Sequence, residues 1–300
     1  MISLIVTVFN EGDSIRRLME SLLVQSRQPD EIVIVDAGST DKTVAIIESY
    51  ADRLPLCVLI EPGCNISAGR NRAIEAAQGD IIAVTDAGVQ LTQTWLEYIT
   101  RPLLDDESAQ VVSGFFRADP HTPFEIAMGA TVLPLEDEIN PDTFLPSSRS
   151  VAFRKSVWEA VGGYPEWLDF SEDLIFDLRL KQVTTPFIFQ PDALVYFRPR
   201  SSLREFYKQY YLYARGDGKA DLWRKRHAIR YATYLLATPF VFLLGLLIHP
   251  AMWLLYLVGI SYYLYRPYRR LSTVRSYGPH TSRTEVLYII ALIPIIRAVG

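Results

Sequence analysis

The chain predicts an α/β domain on a mostly parallel sheet, followed by a helical apolar region, and three observations carry that prediction. Through the first hundred residues, short runs rich in β-branched residues alternate with longer amphipathic stretches, the pattern of successive strand–helix units. Charge is divided along the chain: residues 1–199 hold 15 Lys and Arg against 30 Asp and Glu, and residues 200–300 hold 15 against 4. Two long uncharged runs, Tyr231–Ile248 and Ala251–Tyr265, lie in the basic part. Hydrophobic residues make up 49% of the 300, which excludes a disordered chain and allows a sizeable core.

Strands are expected at Ser3–Phe9, Glu31–Asp36, Leu56–Ile60 and Ile81–Asp86, with helices at Ser14–Gln25, Lys42–Ala51 and Ser67–Ala77 between them. Ser39, Thr40 and Asp41 offer side-chain oxygens to the free amides that open the second helix. Open sheets of this kind bind ligands beyond the carboxyl ends of their strands. Phe9-Asn10-Glu11, Asp36-Ala37-Gly38-Ser39 and Asp86-Ala87-Gly88 fall at three such ends and should converge on one cleft. Further along, Glu172-Asp173 opens a helix-like run after the pair Gly162-Gly163. Acidic positions laid out in this way suit a nucleotide-dependent transferase with a carboxylate base.

Composition narrows the partners. An acidic first part argues against nucleic acid, whereas a basic, aromatic and apolar tail suits the anionic lipids of a membrane surface. The charge division places a boundary near residue 200, with a catalytic domain over 1–220 and a membrane-associated region over 221–300. Cys57 and Cys64 are spaced for neither a zinc site nor a redox pair and read as reduced thiols. The first apolar run, Ile2–Phe9, stops at once in Asn10-Glu11, unlike a signal peptide. The first domain is therefore expected to face the cytoplasm at the cytoplasmic membrane.

A set of motifs follows in order: Val6-Thr7-Val8-Phe9-Asn10-Glu11; Val33-Ile34-Val35-Asp36-Ala37-Gly38-Ser39-Thr40-Asp41-Lys42-Thr43; Ala68-Gly69-Arg70-Asn71-Arg72-Ala73; Gly79-Asp80-Ile81-Ile82-Ala83-Val84-Thr85-Asp86-Ala87; Trp95-Leu96; Gly162-Gly163-Tyr164; and Glu172-Asp173. Any one of them is weak evidence. Together they resemble a family 2 glycosyltransferase of the GT-A fold, of the membrane-associated bacterial type, over residues 2 to about 218. The resemblance implies a nucleotide-sugar donor, UDP-linked, a glycan or lipid-linked acceptor, and a single displacement with inversion. It implies that Asp36 accepts a hydrogen bond from the base. Thr7, through its backbone, and Asn10 and Glu11 would frame base and ribose, with Phe9 and Ser39 beside them. Arg70 would contact base or phosphate.

Asp86-Ala87-Gly88 falls where the family carries its DxD motif, whose carboxylates hold the ribose and a divalent cation, Mg²⁺ or Mn²⁺, on the diphosphate. Gly88 replaces the second carboxylate. The metal is then left to Asp86, diphosphate oxygens and water, and the alternative is that arginine stabilises the leaving group. Asp173 takes the place of the general base, which needs to receive a proton only as the new bond forms. Glu172 would border the acceptor and raise the base pKa through its like charge. Arg215 is the candidate for a basic residue that folds back over the diphosphate, or else it faces lipid headgroups.

Each assignment competes with a structural role. Asp36 suits a turn cap, Arg70 a solvated helix position, Ser171 or Asp173 a helix N-cap, and Gly162-Gly163 a helix stop. Transfer to a polyprenyl phosphate and non-catalytic nucleotide-sugar binding also remain open. A nucleotidyltransferase is disfavoured, because Phe9-Asn10-Glu11-Gly12-Asp13 is acidic where a glycine- and arginine-rich phosphate loop belongs. The 18 uncharged residues of Tyr231–Ile248 and the 15 of Ala251–Tyr265 make helices of about 27 Å and about 22 Å against a hydrocarbon core of about 30 Å. Arg224-Lys225-Arg226 and Arg230 precede the pair and Arg266, Arg269 and Arg270 follow it, so a hairpin with both outer ends in the cytoplasm is expected, spanning or re-entrant. Val286–Ile296 is a third apolar run, interrupted by Pro294.

Overall fold

The computed structural model describes residues 1–184, 186–273 and 282–300, which form two compact units. The first comprises Met1–Asp119 and Leu135–Arg198, the second Pro120–Pro134 and Pro199–Gly300. The second unit takes up the chain again at Pro199 and also takes in 120–134.

The first unit opens as the pattern predicts, with β1 (Ile2–Val8), α1 (Ile15–Leu23), β2 (Glu31–Asp36), α2 (Thr43–Glu48), β3 (Leu56–Ile60), α3 (Ile66–Ala76) and β4 (Ile81–Val84). Residues alternate cleanly between the two faces of the sheet. Leu4, Val6, Ile32, Ile34, Ile81 and Ala83 enter the core under α1, whereas Ile5, Val33, Val35, Ile82 and Val84 enter the core under α3. Burial on both faces is why these strands read as unbroken apolar runs. The helix starts are chemically defined: the Asn65 side chain accepts from Ala68 N at 2.9 Å to open α3, and Asp41 accepts from both the amide and the hydroxyl of Thr43 at α2.

Beyond β4 come β5 (Val89–Leu91), α4 (Trp95–Asp105), β6 (Val111–Ala118), β7 (Val151–Arg154), α6 (Lys155–Ala160), α7 (Glu172–Val183) and β8 (Ile188–Phe197), while α5 (Pro123–Val132) falls in the second unit. The eight strands run in the order β3-β2-β1-β4-β7-β6-β8-β5. β3, β2, β1 and β4 are mutually parallel, β7 is antiparallel to both β4 and β6, and β5 is antiparallel to β8. β6 and β8 pair in parallel, so the sheet is mixed but mostly parallel, with β7 and β5 running the other way. Both reversed strands are short, and periodicity gives a strand no direction.

In the second unit α5 packs with α8 (Leu203–Lys219), α11 (Leu254–Thr273) and α12 (Arg283–Val299) around Ala127, Met128, Phe206, Leu271, Ile289 and Ile293. Between α8 and α11 lies one continuous helix, α9 (Arg224–Ala232), a π-helical stretch Thr233–Ala237, and α10 (Thr238–Leu247). Pro239 explains the π stretch, because its ring would collide with the carbonyl four residues earlier and a widened turn relieves the clash. The chain reverses at His249-Pro250. There Trp253 stacks on Phe242, donates to its carbonyl at 3.2 Å and fills the notch left by Gly245.

Helices occupy both expected runs, linked by the Tyr234 and Tyr263 hydroxyls at 3.0 Å and by Tyr256 donating to Thr238 O. Among the described residues only Arg224–Leu247, at 24 residues, is long and apolar enough to cross a membrane, and 6% of its most apolar window is buried. The second expected span falls short. α11 changes character at Arg266, which leaves an apolar part of about 18 Å at the helical rise.

Candidate active site

The parallel register sets Val8 beside Asp36 and Ile5 beside Val84, so β1, β2 and β4 deliver their following loops to one edge of the sheet. Two linked clusters result. In the first, Asn10 takes a left-handed backbone, φ 51°, and its loop is sewn to the next: Asn10 N donates to Ser39 Oγ at 2.8 Å, and Thr40 N donates to Asn10 Oδ1 at 2.9 Å. Asp36 is buried and accepts from Gly38 N at 2.9 Å, from Ser39 N at 2.8 Å and from the Ser39 hydroxyl. A carboxylate has about four acceptor sites. Asp36 therefore shapes its own turn, as the structural reading has it, and keeps one lone pair for another partner. Phe9 is 58% exposed beside these loops. Thr7 turns its methyl toward α3, where a Cβ on Gly69 would lie 2.9 Å from it, which leaves its backbone as the part open to a ligand.

The second cluster is built around Arg70. Its side chain is 3% exposed and bridges two carboxylates: Nη2 to Asp86 Oδ1 at 3.0 Å and Nη1 to Glu172 Oε1 at 2.8 Å, with the guanidinium 5.2 Å from the Tyr164 ring centroid. A solvated helix position is thereby ruled out for Arg70. A fourth group joins from the loop before β7, where Arg149 Nε lies 3.6 Å from Asp86 Oδ2. Glu172, Arg70, Asp86 and Arg149 form a row of alternating charge.

Asp173 adjoins the row. Burial pushes its carboxyl above the ordinary range, while Arg70 and Arg149 pull it down and Asp86 adds to the rise. Burial likewise raises Glu172, against the pull of Arg70. Asp173 Oδ1 accepts from the amide of Leu174 at 2.9 Å. The residue before them, Ser171, stands at the N-cap of α7 with φ 63°. A non-glycine residue held there costs about 1–3 kcal/mol. The backbone strain sits at the step that aims Glu172 and Asp173.

Gly162-Gly163 ends α6: both take φ 72°, with Gly163 N donating to Trp158 O at 3.0 Å. The stop serves the site through Asn71. Its amide accepts from Tyr164 N at 2.8 Å and Trp158 Nε1 at 3.1 Å, and donates to Tyr164 O and Glu166 Oε1, both at 2.9 Å. Asn71 lies inside a recognised motif, yet only the structure gives it this role. Arg149 gave no signal at all, since a basic residue ahead of a strand has no diagnostic pattern. Arg215 belongs to the second unit, on α8, and is exposed.

The expected divalent cation meets a poor donor set. Hard cations take several oxygen ligands. Asp86 is the motif's one carboxylate, Gly88 adds none, and the Asp86 oxygens face Arg70 and Arg149. Among the described residues no group of three His, Cys, Asp or Glu side chains could hold an ion. The residues do not fit a resident metal.

One turn past Asp173, Asp177 is buried with Oδ2 unpartnered, and burial together with the Asp173 charge pushes its carboxyl well above 3.8. A carboxyl raised in this way binds more protons in the native than in the unfolded chain, so its contribution to stability falls as pH rises from 3.8 toward the native value. Asp177→Asn, isosteric with the protonated form, should therefore gain stability over wild type increasingly as pH is raised above that point. Urea unfolding across the pH range measures it, and a difference independent of pH would count against a protonated Asp177.

Residues 3–150 match the family described as Glycosyl transferase family 2. Over 107 residues the chain is 36% identical to an uncharacterised glycosyltransferase, YibD, of Escherichia coli (strain K12), an alignment covering 35% of this chain and 31% of that one. It is 26% identical over 225 residues to the O-antigen chain rhamnosyltransferase WbaN of Salmonella anatum, covering 70% of each. Among solved structures, the mannosyltransferase PcManGT from Pyrobaculum calidifontis, in complex with GDP-Man and Mn²⁺, is similar with TM-score 0.65 and 19% identity over 98% of this chain and 86% of that one. S. aureus TarS 1–349 in complex with UDP-GlcNAc gives TM-score 0.55 and 21% identity over 99% and 90%. These two likenesses speak for the fold. With the motifs in order and the acidic cluster at the carboxyl ends of its strands, residues 3–150 form a domain of glycosyl transferase family 2.

Proposed function

We propose that this protein moves a sugar from a nucleoside diphosphate, UDP by preference, to a hydroxyl of a glycan or glycolipid at the cytoplasmic face of the membrane, with inversion. The observation that carries the reading is the placement of Asp173 beside the Arg70–Asp86 pair, which sets a base against a charged donor site. Asp173 takes the acceptor proton as the oxygen attacks the anomeric carbon from the side opposite the departing diphosphate. Its raised pKa makes it the stronger base for that transfer. The base and ribose would lie along Phe9, Asn10, Glu11 and the free lone pair of Asp36, and Glu172 would border the acceptor. The solved relatives in complex with UDP-GlcNAc and GDP-Man support a nucleotide-sugar donor, and WbaN supports a glycan acceptor. Thermal unfolding of the full chain against UDP, GDP and dTDP tests the donor. A nucleotide at 100 times its Kd stabilises by about 2.7 kcal/mol, and UDP should do so first. No shift with any of them would contradict the reading.

The membrane part of the proposal rests on Arg224–Leu247, whose Leu235, Leu236 and Phe240 are exposed and whose basic residues lie at its start. Ending the chain at Asp221 would be an unclean test, because it would strip α11 and α12 from the core around Met128 and Phe206. Leu236→Arg is cleaner. A central arginine costs about 2.5–3.5 kcal/mol in membrane insertion, so the variant should move toward the soluble fraction in cell fractionation. A wild-type chain that stays soluble without detergent would end the membrane assignment.

A further inference from the structure

We propose that Arg149, with Arg70 beside it, carries the positive charge that meets the donor diphosphate, in the place where the family resemblance implies a divalent cation. The inference rests on the donor reading above and deepens it. Three observations converge on Arg149. Its guanidinium rests against two aromatic rings that pack edge-to-face on each other, 4.3 Å from the Phe197 centroid and 5.3 Å from that of Phe116. These rings orient a cation but accept no ordinary hydrogen bond. Its Nε is buried without a hydrogen-bond partner, and the nearest carboxylate oxygen, on Asp86, stands at 3.6 Å, an ion pair too long for a hydrogen bond. Its side chain nonetheless keeps 22% of its surface exposed, so it is fixed without being closed off.

Arg70 behaves differently, with two carboxylates on its fork and almost no exposure. Of the two guanidiniums joined through Asp86, Arg149 is therefore the one with donors to spare. An unpaired, partly buried N–H group is costly. A planar fork of such groups matches phosphate oxygens two at a time. Gly88 leaves room at the motif. A Cβ there would have Glu11 Oε2 at 4.0 Å as its nearest neighbour, so the position where a second carboxylate would stand is open, and the Glu11 carboxylate beside it adds to the need for a cation facing the diphosphate. The two rings and the Asp86 pair hold Arg149 before the ligand arrives, so little is spent on reorganisation when negative charge grows on the leaving group.

The test is calorimetric titration of the full-length protein with UDP and with uridine, in excess chelator and in Mg²⁺. UDP should bind with the same affinity in both. Arg149→Gln should weaken UDP by about 10- to 100-fold, the range for hydrogen bonds to a charged group, and leave uridine unchanged. Arg149→Lys, which keeps the charge and loses the fork, should fall between. Unfolding curves of each variant separate a lost contact from a lost fold. UDP binding that requires Mg²⁺ or Mn²⁺, or a folded Arg149→Gln that binds UDP like wild type, would overturn this inference and leave the donor reading standing. A wild-type chain that binds neither ligand would overturn both.

Discussion

Asp173→Asn is expected to lower kcat by at least about 100-fold while donor affinity changes little, the loss typical of removing a general base. Asparagine preserves the shape and the hydrogen bond from the Leu174 amide but cannot take the acceptor proton. The pH profile adds a second readout. Burial raises the Asp173 carboxyl, so the acidic limb of kcat/KM in wild type should lie above the ordinary carboxylate range and vanish in the residual activity of the variant. Near-normal turnover by Asp173→Asn would remove this residue from the mechanism and favour an acceptor that is already ionised, such as a polyprenyl phosphate.

Arg70→Met should have the largest effect on stability. The substitution leaves Glu172 and Asp86 facing each other without the cation that bridges them. Breaking a buried ion pair from one side costs about 3–5 kcal/mol, most of it the penalty of an uncompensated charge. Pairing the change with Glu172→Gln should recover part of the loss, because the two residues share one network and their effects do not add. Denaturant unfolding of the two single variants and the double variant measures this. Additive losses would mean that the row of charges is not the coupled unit that its geometry describes.

β2 and β3 run over the expected residues, because burial on both faces produces unbroken apolar runs with turn residues at each end. Asp36, Asp86 and Glu172-Asp173 were legible as candidates because they directly follow such runs or open a helix after a glycine pair, within motifs in family order. What a strand pattern cannot carry is direction, so the antiparallel pairing of β7 with β4 and β6 was hidden. Long-range contact was equally hidden. Arg70 and Glu172 are 102 positions apart, and Arg149 reaches Asp86 only because β7 lies next to β4. The segment 120–134 leaves its own unit to help form the core of another. Its helix is apolar on all sides, so nothing in it names the core it joins.

Asp36 carries a different lesson. A carboxylate at a strand end is legible as a site residue and as a turn cap alike, and here it performs the second role while retaining acceptor capacity for the first. Gly88 likewise raised arginine as an alternative to the metal without naming Arg149, whose guanidinium meets the remaining carboxylate of the motif only in the folded chain.

The central claim, inverting transfer from a nucleoside-diphosphate sugar, is tested most directly by the configuration of the first product. Membranes containing the full chain, supplied with UDP-, GDP- and dTDP-linked sugars of known anomeric configuration, should release one nucleotide and form a glycoside of the opposite configuration, as read by proton NMR before any mutarotation. A product that retains the donor's configuration, or nucleotide release that persists unchanged in Asp173→Asn, would contradict it.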